Sequence, residues 1–410
     1  NWHTPEVHKF WNESYFWNGC DEDTRDRCIT RMSHRGLHAK KMYIFLLLDI
    51  AGFDEPLTLE QDNVPVRDRS TITGNASAID SPLVLVEGLG ITYECVEPLE
   101  IWRLRYQGLM RRGHAPVTVN GHFDESPLVE GENAVRVNID LTYTNDSQIF
   151  WYMRDEPTMT LAKNLSQEPW NLRFFQYCLA RSHNHCHIEA FGRMKGSISI
   201  LSPSSKNSEG AGQSTGTALY HRKYNFGTFR DHSWDIRNWA GIDQLFILMV
   251  SFETPLVLHG EAYWYLDLTL VHMPGNLNGV QSFTTGYLSG KDQTANLAVQ
   301  YATSIKDIKY NTDKKDGITR LPLPETSVVV EVFPPSSSST LLTIECTGDI
   351  RRMMYWPDCG KFVVYEDGMD FTIAVLETDV GTTSEKKLNG VRGYGTRQSG
   401  FRVGTFDPKD

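Results

Sequence analysis

The chain has 410 residues, of which 40% are hydrophobic and 11% aromatic, and this length predicts two domains instead of one ordinary core. Its formal net charge of -11 argues against a nucleic-acid-binding protein, because such a protein needs a basic surface to neutralise phosphates. The longest strongly apolar run, residues 42–48, is far shorter than the roughly 18 residues that cross a bilayer, so no transmembrane segment is predicted.

Strand patterns dominate the chain. In residues 134–144 apolar and polar residues alternate, which is the period-two pattern of a strand with one buried face. Similar runs follow at 196–201, 244–253, 263–273, 326–334 and 361–366. Helical periodicity is scarce, and the stretch from Asn296 to Tyr310 fits a helix as well as strands. Many medium strands joined by hairpin loops predict an all-β fold of barrels or sandwiches.

A polar stretch rich in serine and glycine, residues 201–218, is the best candidate for a domain boundary. It divides the chain into two β-rich halves, which we predict to be domains of residues 1–205 and 206–410. A dense polar and aromatic motif follows at the start of the second half. Ligand pockets often form at such junctions.

Two features predict a secreted protein. The chain begins at Asn1 without a methionine or a signal peptide, as a processed mature protein would. Asn-x-Ser sequons, which accept N-linked glycans in secreted proteins, occur at Asn12, Asn75, Asn145 and Asn164. Each sequon taken alone is also a common accident of sequence.

The seven cysteines support the same compartment. Six of them form closely spaced pairs, and short spacings suit local disulfides across turns in an oxidising environment. The predicted disulfides are Cys20–Cys28, Cys178–Cys186 and Cys346–Cys359. Cys95 is left over, and we interpret it as a buried thiol.

The motif beyond the boundary is FRDHSWDIRNW, residues 229–239, which mixes acid, imidazole, guanidinium and indole groups. Its RDHSW core resembles the Arg-Asp-His-Ser-Trp-Gly signature of the carotenoid 1,2-hydratase (hydroxyneurosporene synthase) superfamily, which also takes in the AttH-like proteins. Looser similarity to animal members lies in residues 12–17, 97–108, 286–290 and 390–401. The resemblance implies two lipocalin-like β-barrel domains packed together, which bind an elongated apolar ligand.

The sequence departs from that signature at Asp235, which stands where the family has glycine. In the hydratases a downstream Tyr-x-Asp pair is also implicated, and Tyr265 with Asp267 is the comparable pair here. Marine blue carotenoproteins are a further group that the resemblance brings into consideration. Fold and motif alone do not decide between catalysis and binding.

As a catalytic site, the motif would serve a hydratase or cyclase. Asp231 would protonate a carbon–carbon double bond, and His232 would activate water or hold the acid in position. The aromatic face of Trp234 or Trp239 would stabilise the resulting cation.

As a binding site, the same motif would hold a carotenoid without catalysis. A hydrogen bond from His232 or Arg230 to a keto end of the pigment would shift its absorption to longer wavelength, while aromatic groups line the pocket. The predicted ligand-binding residues are Arg230, His232, Trp234, Arg237 and Trp239. A structural alternative is a salt-bridged network of Arg230, Asp231 and Arg237.

A histidine cluster precedes the boundary. His183, His185 and His187 would share one face of a strand, where three imidazoles can bind zinc. Because Cys186 has a predicted partner and alternate polar residues on a strand most often face solvent, no metal site is predicted. The chain also lacks a phosphate-binding loop and a nucleophile elbow, so no nucleotide cofactor is expected.

These observations favour a secreted glycoprotein that holds a carotenoid or another long isoprenoid in a β-barrel pocket. An exported acidic protein with an apolar pocket suits the transport of such a molecule through water. The alternative is a hydratase or cyclase that acts on a polyene or terpenoid by acid catalysis, and a third reading is a glycoprotein whose barrels serve only protein contacts. The run at 326–334 is predicted as an edge strand that is available for pairing in a homo-oligomer.

Overall fold

The fold is taken from a computed structural model, which describes residues 11–35, 41–65, 83–86, 89–113, 127–155, 186–201, 218–236, 244–258, 260–272, 282–296, 298–299, 310–315, 322–324, 327–333, 340–347, 353–356, 362–378 and 385–402. Most of these residues lie in β-strands, and the helix among them, α1 (Tyr152–Asp155), is a single turn. The predicted all-β class is confirmed. Within these ranges, no helix has the length and apolar character that membrane crossing requires.

The strands follow one another along the whole chain. In order they are β1 (Trp11–Asp21), β2 (Arg27–Arg35), β3 (Lys41–Asp49), β4 (Leu57–Pro65), β5 (Leu83–Val86), β6 (Ile91–Glu97), β7 (Ile101–Arg112), β8 (Ala134–Asn145), β9 (Phe150–Trp151), β10 (Cys186–Leu201), β11 (Ala218–Ile236), β12 (Gln244–Leu258), β13 (Glu261–His272), β14 (Ser282–Ser289), β15 (Thr294–Asn296), β16 (Ala298–Val299), β17 (Tyr310–Lys315), β18 (Pro322–Pro324), β19 (Ser327–Phe333), β20 (Thr340–Thr347), β21 (Met353–Trp356), β22 (Phe362–Thr378) and β23 (Glu385–Arg402).

The first of two compact units is a closed β-barrel. Eight strands lie side by side in the order β4-β3-β2-β1-β11-β10-β8-β7. The ring is closed by a short antiparallel ladder in which Leu57 and Thr58 of β4 face Arg112 and Arg111 of β7. Strands β6 and β5 extend the sheet from the other end of β7. The first predicted lipocalin-like barrel is therefore present.

The interior of this barrel follows from the alternation in the sequence. On β8 every second residue from Val135 to Tyr143 is buried in the core, as the pattern at 134–144 predicts. On β1 the same alternation turns Glu13, Tyr15 and Trp17 to one face, opposite His34, Met32 and Thr30 of β2. Since Tyr15, Trp17 and Met32 belong to the hydrophobic core, that face of β1 is the barrel interior.

The second unit is built on an extended sheet in the order β15-β14-β13-β12-β23-β22-β20-β19-β16, with β21 paired to β22. Part of the stretch that fits either a helix or strands forms β16, and its residues from 300 to 309 lie outside the described ranges. Strand β19 corresponds to the predicted edge strand. It pairs with β20 on one side, while Val332 and Phe333 pair with β16 on the other, so its end is covered within the unit.

The two units are interleaved along the chain. The chain enters the second unit at Ser147, returns to the first at Gly192, and leaves it again at Ser233. The sequence predicts one boundary between residues 205 and 206 instead. The difference arises because β10 and β11 are 16 and 19 residues long, and each contributes to both units.

The predicted disulfide between Cys20 and Cys28 is wrong. In the β1–β2 ladder Cys20 faces Arg27, and Cys28 faces Gly19. Neighbouring ladder positions point to opposite faces, so the Cys28 thiol lies in the barrel core and the Cys20 thiol on the other side. Cys95 is buried, as predicted. The pairs Cys178–Cys186 and Cys346–Cys359 include residues outside the described side chains and stay predictions.

Candidate functional site

The polar centre of the first barrel is formed by Glu13 on β1 and His232 on β11. The imidazole Nε2 lies 3.1 Å from the carboxyl Oε1. Glu13 has 0% of its surface exposed and His232 has 5%. The two strands are neighbours in the barrel, although they come from distant parts of the sequence. A buried carboxyl group and an imidazole in hydrogen-bond contact form an acid–base pair.

Aromatic rings hold this pair in place. Tyr15 lies on the same face of β1 as Glu13 and stacks on the ring of His232, with centroids 3.9 Å apart and planes 11° apart. Tyr15 in turn contacts Trp17 and Trp102, at centroid distances of 6.0 and 4.9 Å. These rings fix the orientation of the imidazole and surround it with apolar surface.

Burial controls the protonation of His232. It lowers the pKa of the imidazole from its usual 6.5 to about 4, because the charged ring would lose its hydration inside the barrel. The hydrogen bond to Glu13 raises the pKa by a smaller amount, and the positive charge of Arg230 lowers it further. The imidazole is therefore neutral near pH 7, so one ring nitrogen donates while the other accepts.

Arg230 lies two residues before His232 on the same face of β11. Its side chain is only 2% exposed, and its Cζ lies 6.0 Å from the centre of the Tyr15 ring and 5.8 Å from that of Trp102. One guanidinium nitrogen, Nη1, donates a long hydrogen bond of 3.5 Å to the carbonyl oxygen of Leu99. The barrel thus holds a buried positive charge beside the acid–base pair.

The carbonyl that accepts from Arg230 belongs to a strained turn between β6 and β7. The N–H of Glu100 donates to the carbonyl of Glu97 at 3.1 Å, which closes the turn around Pro98 and Leu99. Leu99 has a φ of 65°, a left-handed conformation that side chains other than glycine rarely adopt. Such strain persists only where the surrounding structure holds it, and it is often found at functional sites.

A small cavity opens between the aromatic rings. It has room for about one water molecule and is lined by Trp17, Thr30, Tyr93, Trp102, Arg103, Leu104, Tyr143 and Met194. The Thr30 and Tyr93 hydroxyls are 2.5 Å apart, and Thr30 also donates to the Phe45 carbonyl at 3.0 Å. The indole N–H groups of Trp17 and Trp102 are buried, and neither meets an acceptor among the described residues.

The second unit contains a polar cluster of its own. Asp267 on β13 is fully buried and accepts a hydrogen bond from the Tyr152 hydroxyl at 3.4 Å. Glu189 on β10, which is 3% exposed, accepts from Tyr287 at 3.0 Å and lies 3.3 Å from Nε2 of His187. Burial raises the pKa of Tyr287 well above its usual value, and the nearby Glu189 acts in the same direction, so the phenol stays protonated.

The predicted site residues are distributed over both units. Arg230 and His232 are brought together in the first barrel, and Trp234 follows on the same face of β11, half-buried. Tyr265 and Asp267 belong to the second unit, where Tyr265 stacks on Phe191 with centroids 4.8 Å apart. Arg237 and Trp239 lie outside the described residues.

Asp231, the predicted proton donor, does not lie with His232. Successive strand residues point to opposite faces, so Asp231 faces away from the side of β11 that carries Arg230 and His232. The acidic group in contact with the imidazole is Glu13 instead. The predicted salt-bridged network of Arg230, Asp231 and Arg237 stays a prediction, because Arg237 lies outside the described residues.

Three further predictions concern side chains at the margins of the described ranges. His183 and His185 lie outside them, and His187 stacks on Tyr152 with centroids 4.6 Å apart. Across the described residues, no group of three His, Cys, Asp or Glu side chains is arranged to hold a metal ion.

Among the asparagines of the predicted sequons, Asn145 is half-buried, and its Oδ1 accepts a hydrogen bond from the Tyr143 hydroxyl at 3.4 Å. The side chains of Asn12, Asn75 and Asn164 fall outside the description.

Sequence reasoning missed Glu13 as a site residue. The only local signal is its position two residues before Tyr15 and four before Trp17, which puts a carboxyl group on the aromatic face of a strand. An acidic residue on a face that is otherwise apolar is a candidate for a buried functional group.

No protein-family profile matches the chain, and no curated protein matches it. Solved structures with a similar arrangement include CghA with Sch210972, with a TM-score of 0.48 and 9% identity over 96% of this chain and 89% of the other. Kievitone hydratase from Nectria haematococca has a TM-score of 0.46 and 12% identity, over 95% of this chain and 88% of the other. A further structure of CghA has a TM-score of 0.48 and 9% identity over 96% and 88% of the two chains.

Proposed function

We propose that the chain is an enzyme that hydrates or cyclises an elongated apolar substrate of the polyene or terpenoid class, by acid–base catalysis in the first barrel. The observation that carries the proposal is the buried contact of 3.1 Å between Glu13 and His232. Burying ionisable groups costs free energy, and buried groups of this kind are often found at catalytic sites, which favours an enzyme over a protein that only stores an apolar molecule.

The pair can both take up and deliver a proton. With Glu13 as the acceptor at Nε2, the neutral imidazole keeps its hydrogen on that nitrogen, and Nδ1 is the basic atom. When Nδ1 takes a proton, the Glu13 carboxylate stabilises the imidazolium. Hydration deprotonates water and protonates a substrate carbon, while cyclisation protonates one end of the substrate and deprotonates the other. One residue that accepts and returns a proton serves either reaction.

The aromatic rings around the acid–base pair orient the imidazole and supply apolar surface for the substrate. Tyr15 stacks on the imidazole at 3.9 Å and holds it in one orientation, which lowers the entropy cost of reaching the transition state. Trp17 and Trp102 extend the apolar surface from Tyr15 into the barrel core. An unsaturated hydrocarbon chain packs well against such faces. The cavity between the rings has room for about one water molecule, so a polyene or terpenoid substrate requires these side chains to move apart.

The proposal is tested by activity on a panel of linear substrates. Neurosporene, lycopene and farnesol are incubated with the purified full chain, and products are separated by chromatography and weighed by mass spectrometry. Hydration adds the mass of one water, and cyclisation changes retention without a change of mass. We expect Glu13→Gln and His232→Gln each to lower kcat by roughly 10²-fold or more, because each removes the acid–base pair.

The matched control is Glu94→Gln, which changes a half-buried carboxylate on β6 that pairs with Arg105 and should leave kcat unchanged. Asp231→Asn separates this site from the one that the sequence motif predicts. A loss of turnover in Asp231→Asn alone, with Glu13→Gln fully active, would overturn the assignment to Glu13 and His232. Absence of any product across the panel would argue against the enzyme.

A carotenoid-binding protein is the second candidate function, and the aromatic lining of the barrel favours it. Five rings, those of Tyr15, Trp17, Tyr93, Trp102 and Tyr143, belong to one core. Such surfaces hold a pigment without any chemistry. The visible spectrum of protein from its natural source, with mass spectrometry of an organic extract, tests this function. A band to the red of the extracted pigment supports binding, and a colourless protein with an empty extract rejects it.

Secretion and glycosylation belong to the same proposal. The sequons and the charge of -11 support an exported protein. Mass spectrometry of tryptic peptides before and after treatment with an N-glycosidase tests each sequon. Unmodified asparagine at all four positions in protein from its natural source would contradict it.

A further inference from the structure

We propose that the ligand of the first barrel carries an anionic oxygen group, such as a carboxylate or an enolate, and that Arg230 binds it. The inference rests on the proposed site and specifies the substrate class: an amphiphilic acid instead of a neutral hydrocarbon.

The first observation is the poor pairing of Arg230. Its guanidinium is 2% exposed, and within the described part of the chain its hydrogen-bond acceptor is the Leu99 carbonyl, at 3.5 Å. The Nε atom is buried without a partner there. A guanidinium has five N–H donors, so the described residues satisfy only a small part of its hydrogen-bonding capacity. Burying a charge in this condition is costly, which favours an anion at this place in the working protein.

Other arginines of the same barrel show the contrast. Arg103, Arg105 and Arg136 each have side chains between 37% and 45% exposed, and each forms an ion pair with a carboxylate at 2.6 to 2.9 Å. These exposed arginines form ion pairs, although an ion pair at the surface adds little to stability. Arg230, which is buried and would gain more, has no ion pair with any described residue.

Two titratable groups near Arg230, those of Tyr143 and Cys95, supply no negative charge. Tyr143 and Cys95 lie close enough to interact with it, but burial raises the pKa of both, so each is neutral near pH 7. The rings of Tyr15 and Trp102 attract the cation at about the outer limit of cation–π distances, 6.0 and 5.8 Å. The nearby carboxyl group of Glu13 is hydrogen-bonded to His232.

The second observation is the pair of indole donors. Trp17 and Trp102 are 3% and 4% exposed, they line the same cavity, and their Nε1–H groups have no acceptor among the described residues. An indole N–H can only donate, so a ligand atom that satisfies it must be an acceptor. Three buried side chains with unused donors therefore lie within one aromatic cluster, and an oxygen anion is the group that satisfies such donors best.

The test compares two polyenes with the same carbon skeleton, retinoate and retinol. Binding to the full chain is followed by quenching of tryptophan fluorescence, because Trp17 and Trp102 lie beside the site. We expect retinoate to bind roughly tenfold or more tightly than retinol, as charge-assisted hydrogen bonds require. Arg230→Met should remove this preference, with retinol binding little changed. The control Arg105→Gln, on the outside of the same barrel, should retain it.

A second measurement tests whether Arg230 has a purely structural role. Replacing an uncompensated buried charge by an apolar side chain of similar length often stabilises a protein, so the ligand-free Arg230→Met variant should melt at or above the temperature of the wild type. A clearly lower melting temperature would show that Arg230 supports the fold and would overturn the proposal. Equal affinity of the wild type for retinoate and retinol would also overturn it.

The proposal of an anionic ligand and the proposal of catalysis can be rejected separately. If the preference for retinoate is absent while Glu13→Gln still abolishes turnover, the anionic ligand is rejected and the enzyme stands. If the preference is present and depends on Arg230 while no variant affects turnover, the anion site stands and the proposed reaction is rejected.

Discussion

Glu13 and His232 are separated by 219 positions in the sequence, yet their side chains meet at 3.1 Å inside the first barrel. The contact depends on the pairing of β1 with β11, which joins the beginning of the barrel to its last strand. The acid–base pair is therefore assembled only when β1 and β11 pair. Activity and integrity of the barrel should be lost together.

Stability should depend on pH through His232. Its pKa in the folded protein is about 4, against a usual 6.5, so between these values the unfolded chain binds a proton that the folded chain does not. The stabilising contribution is complete above pH 6.5 and is lost as pH falls towards 4, by roughly 3 kcal/mol in total. Urea denaturation of the wild type and of His232→Gln, at several pH values, measures the difference.

The comparison with His232→Gln isolates this residue, since all other titrating groups are shared. We expect the difference in the free energy of unfolding between the two proteins to shrink steadily on acidification. A difference that stays constant from neutral pH to pH 4 would show that His232 is solvated and not buried beside Glu13.

The hydrogen bond between Thr30 and Tyr93 should respond asymmetrically to substitution. Tyr93→Phe leaves Thr30 bonded to the Phe45 carbonyl and should cost about 1 kcal/mol. Thr30→Val leaves the Tyr93 hydroxyl, which is 1% exposed, without that partner and should cost more, roughly 1–3 kcal/mol. The double variant should be more stable than Thr30→Val alone. Additive losses in urea denaturation would contradict this coupling.

Gly19 marks a close approach of β1 to β11. A Cβ atom at this position would lie 2.9 Å from the Cβ of Phe226 and 3.1 Å from Oγ1 of Thr228. Neither Phe226 nor Thr228 can move far, because the contacting Cβ of Phe226 is bonded directly to the backbone of β11. Gly19→Ala should therefore destabilise the barrel by about 1–3 kcal/mol, measured as a lower melting temperature. A variant as stable as the wild type would mean that the two strands are further apart.

The oxidation state of the hairpin cysteines can be checked directly. Cys20 and Cys28 lie on opposite faces of the sheet, and burial raises the pKa of Cys28 to about 12. Neither should react with iodoacetamide in the folded protein, and both should react after unfolding without a reductant. Mass spectrometry of tryptic peptides gives the result. A disulfide-linked peptide that contains both residues would contradict the observed register.

Local patterns were enough to predict the strands but not their partners. Alternation in residues 134–144 predicts β8 and its buried face, and the same rule predicts that Asp231 and His232 diverge. The resemblance to the RDHSW signature instead implies a catalytic Asp231, on the face of β11 opposite to His232. Glu13 could not be found in the same way, because the pairing of β1 with β11 is a long-range feature that no local window contains.

The predicted Cys20–Cys28 disulfide and the predicted domain boundary have a common basis. Both rest on distance along the chain, whereas the structure depends on register and strand length. Cys20 and Cys28 are close in sequence, but they occupy neighbouring positions of the β1–β2 ladder, so their side chains point to opposite faces of the sheet. The polar stretch at 201–218 looks like a linker, but the 19-residue β11 that follows it returns to the first barrel before entering the second unit.

The sharing of β10 and β11 between the units limits how the protein can be divided. A gene cut after residue 205 would remove β11 from the barrel, together with His232 and Arg230, and would open the ring between β1 and β10. An open barrel exposes two unpaired strand edges, which invite aggregation. The first barrel is therefore complete only in a chain that extends through β11.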